Sequence, residues 1–483
     1  MVKKVFLVAM GVLLCLSGFT FAAGKTEEKT AMAKPEALKI ASVAWPSMKE
    51  VQLKLFSLYE KAKGVQIKYI DVGSGGMEGF WQYMKSRFAS GDLPDIEVTF
   101  AGATTWERDN DILTGGNHYV NFDDYLEQSN PYAGGTKWKD LFVEGIFDNP
   151  GVKFMGADQK SHVWAIPFDK NMMVLFMCRD ILKEAGAPES FNSYGELTAA
   201  MDKVKALNKN YLPYTYNPGS AYWYPSIWLD QVWRELEPKI DTDRDKAFSQ
   251  KEAYSAVKNG IVNYDDPAWK EVMLKWKTFV DKYFPSGWRG RPWTGEGGLK
   301  TTFVTKQTAF FRDNSWFATD PGVEQKGFDW VPGIQLAPGL TTSDSKYVKG
   351  TARTTNGAGF VLMVLNNKNK ETSIDFLKYI TAPDTVKSIS DQALLMVPIK
   401  GIEFKGPNAA RTKDVEKLLA SSPVSNPWEN YVFLRLTEGF DGDARNAILD
   451  FMEGKIDITA LSQKMNSMAQ ATVKELASQH PDW

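Results

Sequence analysis

Cysteine and histidine are nearly absent, with two Cys and three His in 483 residues. Cys15 lies inside an apolar N-terminal stretch, so Cys178 is the only thiol of the body; no intramolecular disulfide can brace the chain and its stability must come from packed cores. Three His leave little for metal ligation or for acid–base chemistry near neutral pH. Charge of one sign is scarce as well. The 57 Lys and Arg balance 59 Asp and Glu to a formal -2, which provides no basic footprint for nucleic acid or an anionic membrane. After the first 23 residues no apolar run approaches the ~18 residues of a membrane helix, and there is neither an internal repeat nor a low-complexity tract beyond the leader.

What the chain has in quantity is tryptophan, 16 residues in all. An indole combines a large rigid face with one N–H donor, which suits a ligand presenting flat C–H faces ringed by hydroxyls, as a sugar does. Each Trp is equally a packing residue, so position along the chain has to separate the two roles.

The N-terminus reads as a secretory signal over residues 1–23. Lys3 and Lys4 start it, Val5 to Leu16 form its apolar stretch, and Thr20-Phe21-Ala22 or Phe21-Ala22-Ala23 its cleavage region. Export to the periplasm is therefore expected. Cys15 raises a lipid-anchored alternative, but Leu14 stands where a small residue is wanted. Residues 24–37 are a charged, aperiodic leader expected to be flexible. The remaining ~460 residues exceed one core and suit two lobes.

Strand and helix patterns alternate from there. Leu38 to Ala44 is a short apolar run, Met48, Val51, Leu55 and Leu58 share a helical face, and Val65 to Ile70 is a second strand. This β-α-β order implies a parallel sheet, and Trp45 leaves the carboxyl end of its first strand, the edge where open α/β sheets bind ligands. A helix from Met77 to Ala89 stops at Gly91, and Ile96 to Phe100 brings Phe100 to the same edge. Further strands are expected at Val163 to Pro167, Met172 to Cys178, Thr308 to Phe311 and Gly359 to Val364. Helices are expected at Ser193 to Leu207, Tyr224 to Leu236, Asp266 to Tyr283 and Glu371 to Ile380.

Ala89-Ser90-Gly91-Asp92-Leu93-Pro94-Asp95-Ile96, Trp164-Ala165-Ile166-Pro167, Met177-Cys178-Arg179-Asp180 and Glu184-Ala185-Gly186-Ala187-Pro188 occur in that order. They are followed by Lys306-Gln307-Thr308-Ala309-Phe310 with Asn314-Ser315-Trp316, and by Asn367-Lys368-Asn369-Lys370-Glu371. Together they resemble the extracellular solute-binding proteins of ABC transporters, the family that includes maltose- and other oligosaccharide-binding proteins. Trp164 and Ala165 depart from its tyrosine and glycine, and Asn314 from its glycine. The resemblance implies a two-lobed α/β fold of the type II periplasmic binding class, with the ligand cleft between the lobes and hinge crossings near Phe168, Phe303 and Gly350. The N-terminal lobe would be 38–167 plus 304–350, and the C-terminal lobe 168–303 plus 351–483. It also implies a carbohydrate ligand, a membrane permease as partner, a monomer, no cofactor and no enzymatic activity.

By the same resemblance Trp45, Phe100, Phe168, Asn171, Tyr222, Trp223, Trp316 and Trp428 fall at sugar-contacting positions. Trp316, after a strand and within the polar turn Asp313-Asn314-Ser315, is placed as a ligand contact by its local setting as well. Asp169, Asn171, Asp313, Arg353 and Asn356 are candidates for hydroxyl recognition. Trp233, Trp269 and Trp276 lie on helical faces and read as packing. Asp241, Asp243, Asp245, Ser249 and Glu252 fall at calcium-loop spacing, but Lys246 stands where the loop requires glycine; an acidic turn capping the next helix is the preferred reading, with calcium the alternative. Two other functions stay open. One is capture of a peptide, polyamine or osmolyte; the other is a glycan-active enzyme using Asp92 with Asp95, or Glu107 with Asp109.

Overall fold

Short apolar strands and amphipathic helices pair off into two sheets, each wrapped by helices around its own core. The computed structural model describes residues 37–483 apart from 44–45, 73–75, 102–105, 150, 224, 245–247, 296, 319–327, 329, 354–355, 391–395, 403–408, 423–435 and 482. The side chains of 46–47, 76–78, 106–107, 109–110, 223, 356, 390 and 438 are also outside the description. The signal sequence, the leader up to residue 36, and Trp45 and Trp428 therefore lie outside the described residues. No described helix is long and apolar enough to cross a membrane.

The first sheet has the order β2-β1-β3-β12-β6, from Leu38–Ser42 (β1), Ile67–Asp71 (β2), Ile96–Phe100 (β3), Ile166–Pro167 (β6) and Phe360–Val364 (β12). β1 runs parallel to β2 and β3, as the β-α-β reading requires, whereas β12 pairs antiparallel with both β3 and β6. A small separate hairpin, Lys153–Met155 (β4) with Ser161–Val163 (β5), falls between β3 and β6 in the sequence. β12 is buried at every position, the signature of a strand covered on both faces.

The second sheet has the order β10-β7-β9-β8, from Lys170–Met177 (β7), Leu212–Thr215 (β8), Thr308–Asn314 (β9) and Gly333–Gln335 (β10), with Asn356–Ala358 (β11) also on β7. The helix Pro267–Tyr283 starts where Asp266 accepts the Ala268 and Trp269 N–H groups and Pro267 needs none, and it buries Trp269, Trp276 and Phe279. Trp233 is buried too, and Cys178 is an enclosed free thiol.

The division between lobes differs from the expected one. Residues 304–350 were assigned to the N-terminal lobe, but β9 is the centre of the second sheet, bonded to β7 and β8. Phe303, an expected crossing, is fully enclosed in the second core. Conversely β12 and the helix Lys370–Ile380 complete the first core, and the chain returns to the second with the helices Ala409–Ser421, Glu438–Met452 and Ile458–Gln479. The crossing expected near Phe168 is present, and the one expected near Gly350 occurs at Gly359, where β11 in one sheet gives way to β12 in the other. A fully buried strand has no polar face to mark its partner, so Thr308 to Phe311 reads identically for either sheet.

Candidate ligand site at the lobe crossing

Two chain segments pass side by side between the lobes. Phe168 and Asp169 link β6 to β7, and Gly359 links β11 to β12. The Phe168 N–H donates to the Phe360 carbonyl (2.8 Å), the Gly359 N–H to the Asp169 carbonyl (3.1 Å), and the Ala101 N–H to the Gly359 carbonyl (2.7 Å). Close approach makes residue 359 a glycine: a Cβ there would lie 2.7 Å from Asp169 Oδ1 and 2.9 Å from Asn171 Cβ.

Asp169 was expected to meet ligand hydroxyls. Instead it is fully enclosed, and both oxygens serve the protein. The Phe360 N–H donates to Oδ1, and the Trp316 indole N–H donates to Oδ2 at 2.5 Å. Burial pushes its carboxyl up to about 7, with the bonds from Phe360 and Trp316 opposing that rise.

Trp316 begins in the polar turn that ends β9. The sequence Asp313-Asn314-Ser315 is held from the crossover strand: Asn171 Nδ2 donates to Asn314 Oδ1 (2.9 Å), Ser315 Oγ donates to Asn171 Oδ1 (3.3 Å), and the Met172 N–H donates to Ser315 Oγ (3.2 Å). Asp313 Oδ1 accepts the Asn314 N–H at 2.8 Å, closing the turn. From there the half-buried indole lies against aromatic rings of the other lobe. Its ring centroid is 5.4 Å from Phe360, stacked at 26°, and 5.9 Å from Phe100, while Phe100 and Phe360 are 4.4 Å apart. Phe100 ends β3 at the carboxyl edge of the first sheet, as the strand order requires.

The structure thus brings together Phe100, Asp169, Asn171, Asp313 and Trp316, and of the other expected residues whose side chains are described, Phe168, Tyr222 and Arg353, it brings none into that group. Phe168 is 7% exposed and packs in the first core beside Val51 and Leu55. Tyr222 is 4% exposed within the second core, with the Arg445 guanidinium over its ring. Both were expected at the ligand, and both are instead core residues because their strand or turn directs them inward. Arg353 pairs with Asp230, which is fully buried, and donates to Glu237 Oε2 at 2.9 Å. Burial works against the Arg353 charge, but the two carboxylates outweigh it and raise its pKa. It fastens the segment leading to β11. The side chains of Trp223 and Asn356 lie outside the described residues, as does Asp245.

Phe360 and Gly359 were not singled out from the sequence, and Asn314 and Ser315 only as members of the polar turn before Trp316. For Gly359 a signal existed, since a glycine opening an apolar strand marks a close backbone approach. For Phe360 none did, because it reads as one more buried strand residue.

Elsewhere, the oxygens of Asp241, Asp243 and Glu252 approach within 4.8 Å of one another. Glu252 Oε2 accepts the Ser249 N–H (3.0 Å) and hydroxyl (2.9 Å), and Oε1 accepts the Thr242 N–H (2.6 Å), so this carboxylate closes a capping box at the start of the helix Gln250–Lys258. Asp92 bonds Lys39 and then Arg87, which hold its carboxyl below the usual range. Asp95 accepts from the Lys39 N–H and from the Asn367 and Asn369 side chains. The lowered Asp92 carboxyl is the opposite of what a general acid requires, and the Asp95 carboxylate is taken up in closing its loop.

The sequence profile described as "Bacterial extracellular solute-binding protein" matches residues 54–400. No curated protein sequence matches the chain. Among solved structures, a chitin oligosaccharide binding protein superimposes with a TM-score of 0.67 at 16% identity, over 92% of this chain and 100% of that one. An ABC transporter solute-binding protein from Agrobacterium vitis S4 with bound D-mannitol gives 0.63 at 15% identity, over 92% and 99%. A sugar transporter from Bacillus licheniformis in complex with stachyose gives 0.60 at 16% identity, over 89% and 98%. At such identities the likeness is one of fold, and it spans nearly the full length of every chain concerned. With two α/β lobes joined by crossing strands and a profile match over most of its length, the chain belongs to the bacterial extracellular solute-binding protein family.

Proposed function

We propose that the protein is the exported substrate-binding subunit of an ABC importer. It captures a sugar, in the first instance an oligosaccharide, acts as a monomer, closes by a hinge and delivers its ligand to a membrane permease. The observation that carries this reading is the half-buried indole of Trp316, held at the lobe crossing against Phe100 and Phe360 of the opposite lobe. An aromatic face at that place suits the C–H face of a pyranose, and each such stack contributes about 0.5–1.5 kcal/mol beyond area burial. Three or four stacks with hydrogen bonds reach the roughly -8 kcal/mol of a micromolar ligand. The oligosaccharide and polyol ligands of proteins with this fold support the class. A glycan-active enzyme finds no support in Asp92 and Asp95, which are engaged in ion pairing and loop closure.

The test is intrinsic fluorescence of the chain from residue 24, titrated with mono- and oligosaccharides, mannitol, peptides and polyamines. A saturable response to a saccharide, weakened at least about tenfold in Trp316→Ala, is expected. A response confined to peptides or polyamines would keep the family and overturn the sugar.

A further inference from the structure

We propose that Asp169 is a positioning residue for ligand capture: it touches no ligand, yet one enclosed carboxylate sets both the orientation of the Trp316 indole and the passage of the chain between the lobes. The inference rests on the reading of Trp316 as a ligand-facing ring.

Three observations carry it. First, the two oxygens of Asp169 face different structures. Oδ1 accepts the backbone N–H of Phe360, the first residue of β12 in the first lobe, and Oδ2 accepts the indole N–H of Trp316, which extends from the second sheet. A carboxylate accepts strongly from N–H donors, and in an enclosed site such bonds are stronger than in water. Second, the pocket is shaped around that carboxylate. Gly359 leaves room for it, and Asn171, two residues further along the chain in β7, holds the Asn314-Ser315 turn from which the indole projects. Third, Asp169 is out of reach of any solute, with no exposed surface, and no cationic side chain among the described residues pairs with it. A buried, uncompensated carboxylate is costly and would be replaced by an apolar residue if only packing mattered. Its two donors are the groups that define the aromatic face, so its role is exerted through the ring.

Phe100 and Phe360 alone would let the indole slide or turn over, because stacking is only weakly directional. The bond from Nε1–H to Asp169 removes that freedom. A ring fixed before the ligand arrives loses less entropy on binding, and affinity gains accordingly.

The experiment pairs a binding measurement with one that needs no ligand. The protein is labelled with ¹⁵N at the indole nitrogens, and the Trp316 resonance is identified by its loss in Trp316→Phe. Its N–H is expected downfield of the other indoles and slow to exchange with solvent; in Asp169→Asn it moves upfield and exchanges faster. Asp169→Asn also weakens binding of the saccharide found in the titration by about tenfold. In the Trp316→Phe background the same change costs at most about twofold, since the donor through which it acts is gone. An indole resonance unmoved by Asp169→Asn, or equal losses of affinity in the two backgrounds, would overturn the proposal. If Asp169→Asn does not fold, Trp316→Phe decides: it keeps a smaller aromatic ring and removes the donor, and binding as tight as wild type would sink the idea. Absence of any saccharide response with a displaced, Asp169-dependent indole resonance would overturn the proposed sugar and leave the positioning of the ring standing.

Discussion

Two aromatic groups of this molecule are built from the same residue types and differ in what surrounds them. In the second core Trp228, Trp276 and Phe279 are essentially unexposed, with centroids 5.1–6.4 Å apart. There the Trp276 indole donates to the neutral Ala221 carbonyl at 3.2 Å. At the lobe crossing Trp316, Phe100 and Phe360 are similarly spaced, but Trp316 is only half-buried and its indole donates to an enclosed carboxylate. The lesson is that ring count does not identify a site. Exposure of one face and the nature of the donor's partner do: a core indole needs any acceptor, whereas a ring that must hold one orientation in a partly open place needs a strong one.

This contrast can be broken in order of size. Trp276→Ala should cost about 3–5 kcal/mol through cavity formation, read as a lowered urea midpoint. A loss below about 1 kcal/mol would mean that the second core is not packed as described. Next comes the carboxylate. The Asp169 carboxyl titrates at about 7 in the folded protein, against ~3.9 when unfolded. Between those values the folded state holds the proton that the unfolded state has released. The contribution of Asp169 to stability is therefore most favourable below about pH 4, declines as pH rises, and levels off above about 7, a span of about 4 kcal/mol. Unfolding midpoints of wild type and Asp169→Asn, measured from pH 4 to 8, should diverge over that window in favour of the variant at high pH; parallel curves would contradict the enclosed carboxylate. Smallest in stability is Trp316→Ala, at roughly 1–2 kcal/mol for a half-buried ring, although its effect on binding is the largest. A variant that binds normally but is grossly destabilised would place Trp316 with the core group.

Much of the first sheet could be read directly. The apolar run of β1, the face formed by Met48, Val51 and Leu55, and the stop at Gly91 before β3 are local signals, and they place Phe100 at the carboxyl edge. The packing role of Trp233, Trp269 and Trp276 was legible from helical spacing. Trp316 stood out because a polar turn after a buried strand is a poor place for a core indole. The assignment of β9 was not legible, since its buried run suits either sheet, and so residues 304–350 were expected in the wrong lobe and the return of β12 and the helix Lys370–Ile380 to the first lobe was missed. Asp169 was misread for a related reason. An Asp beside a strand looks available to a ligand until a residue far along the chain closes over it.

Sequence alone determined most of the elements and their alternation, because periodicity, caps and turn residues act within a few positions of one another, and its ordered motifs carried the resemblance to the family. Tertiary structure alone decided which strands share a sheet, that the chain crosses at Gly359, and that the Trp316 indole finds a carboxylate 147 residues away. Those outcomes depend on long-range pairing and exclusion of water, which no short stretch of sequence contains.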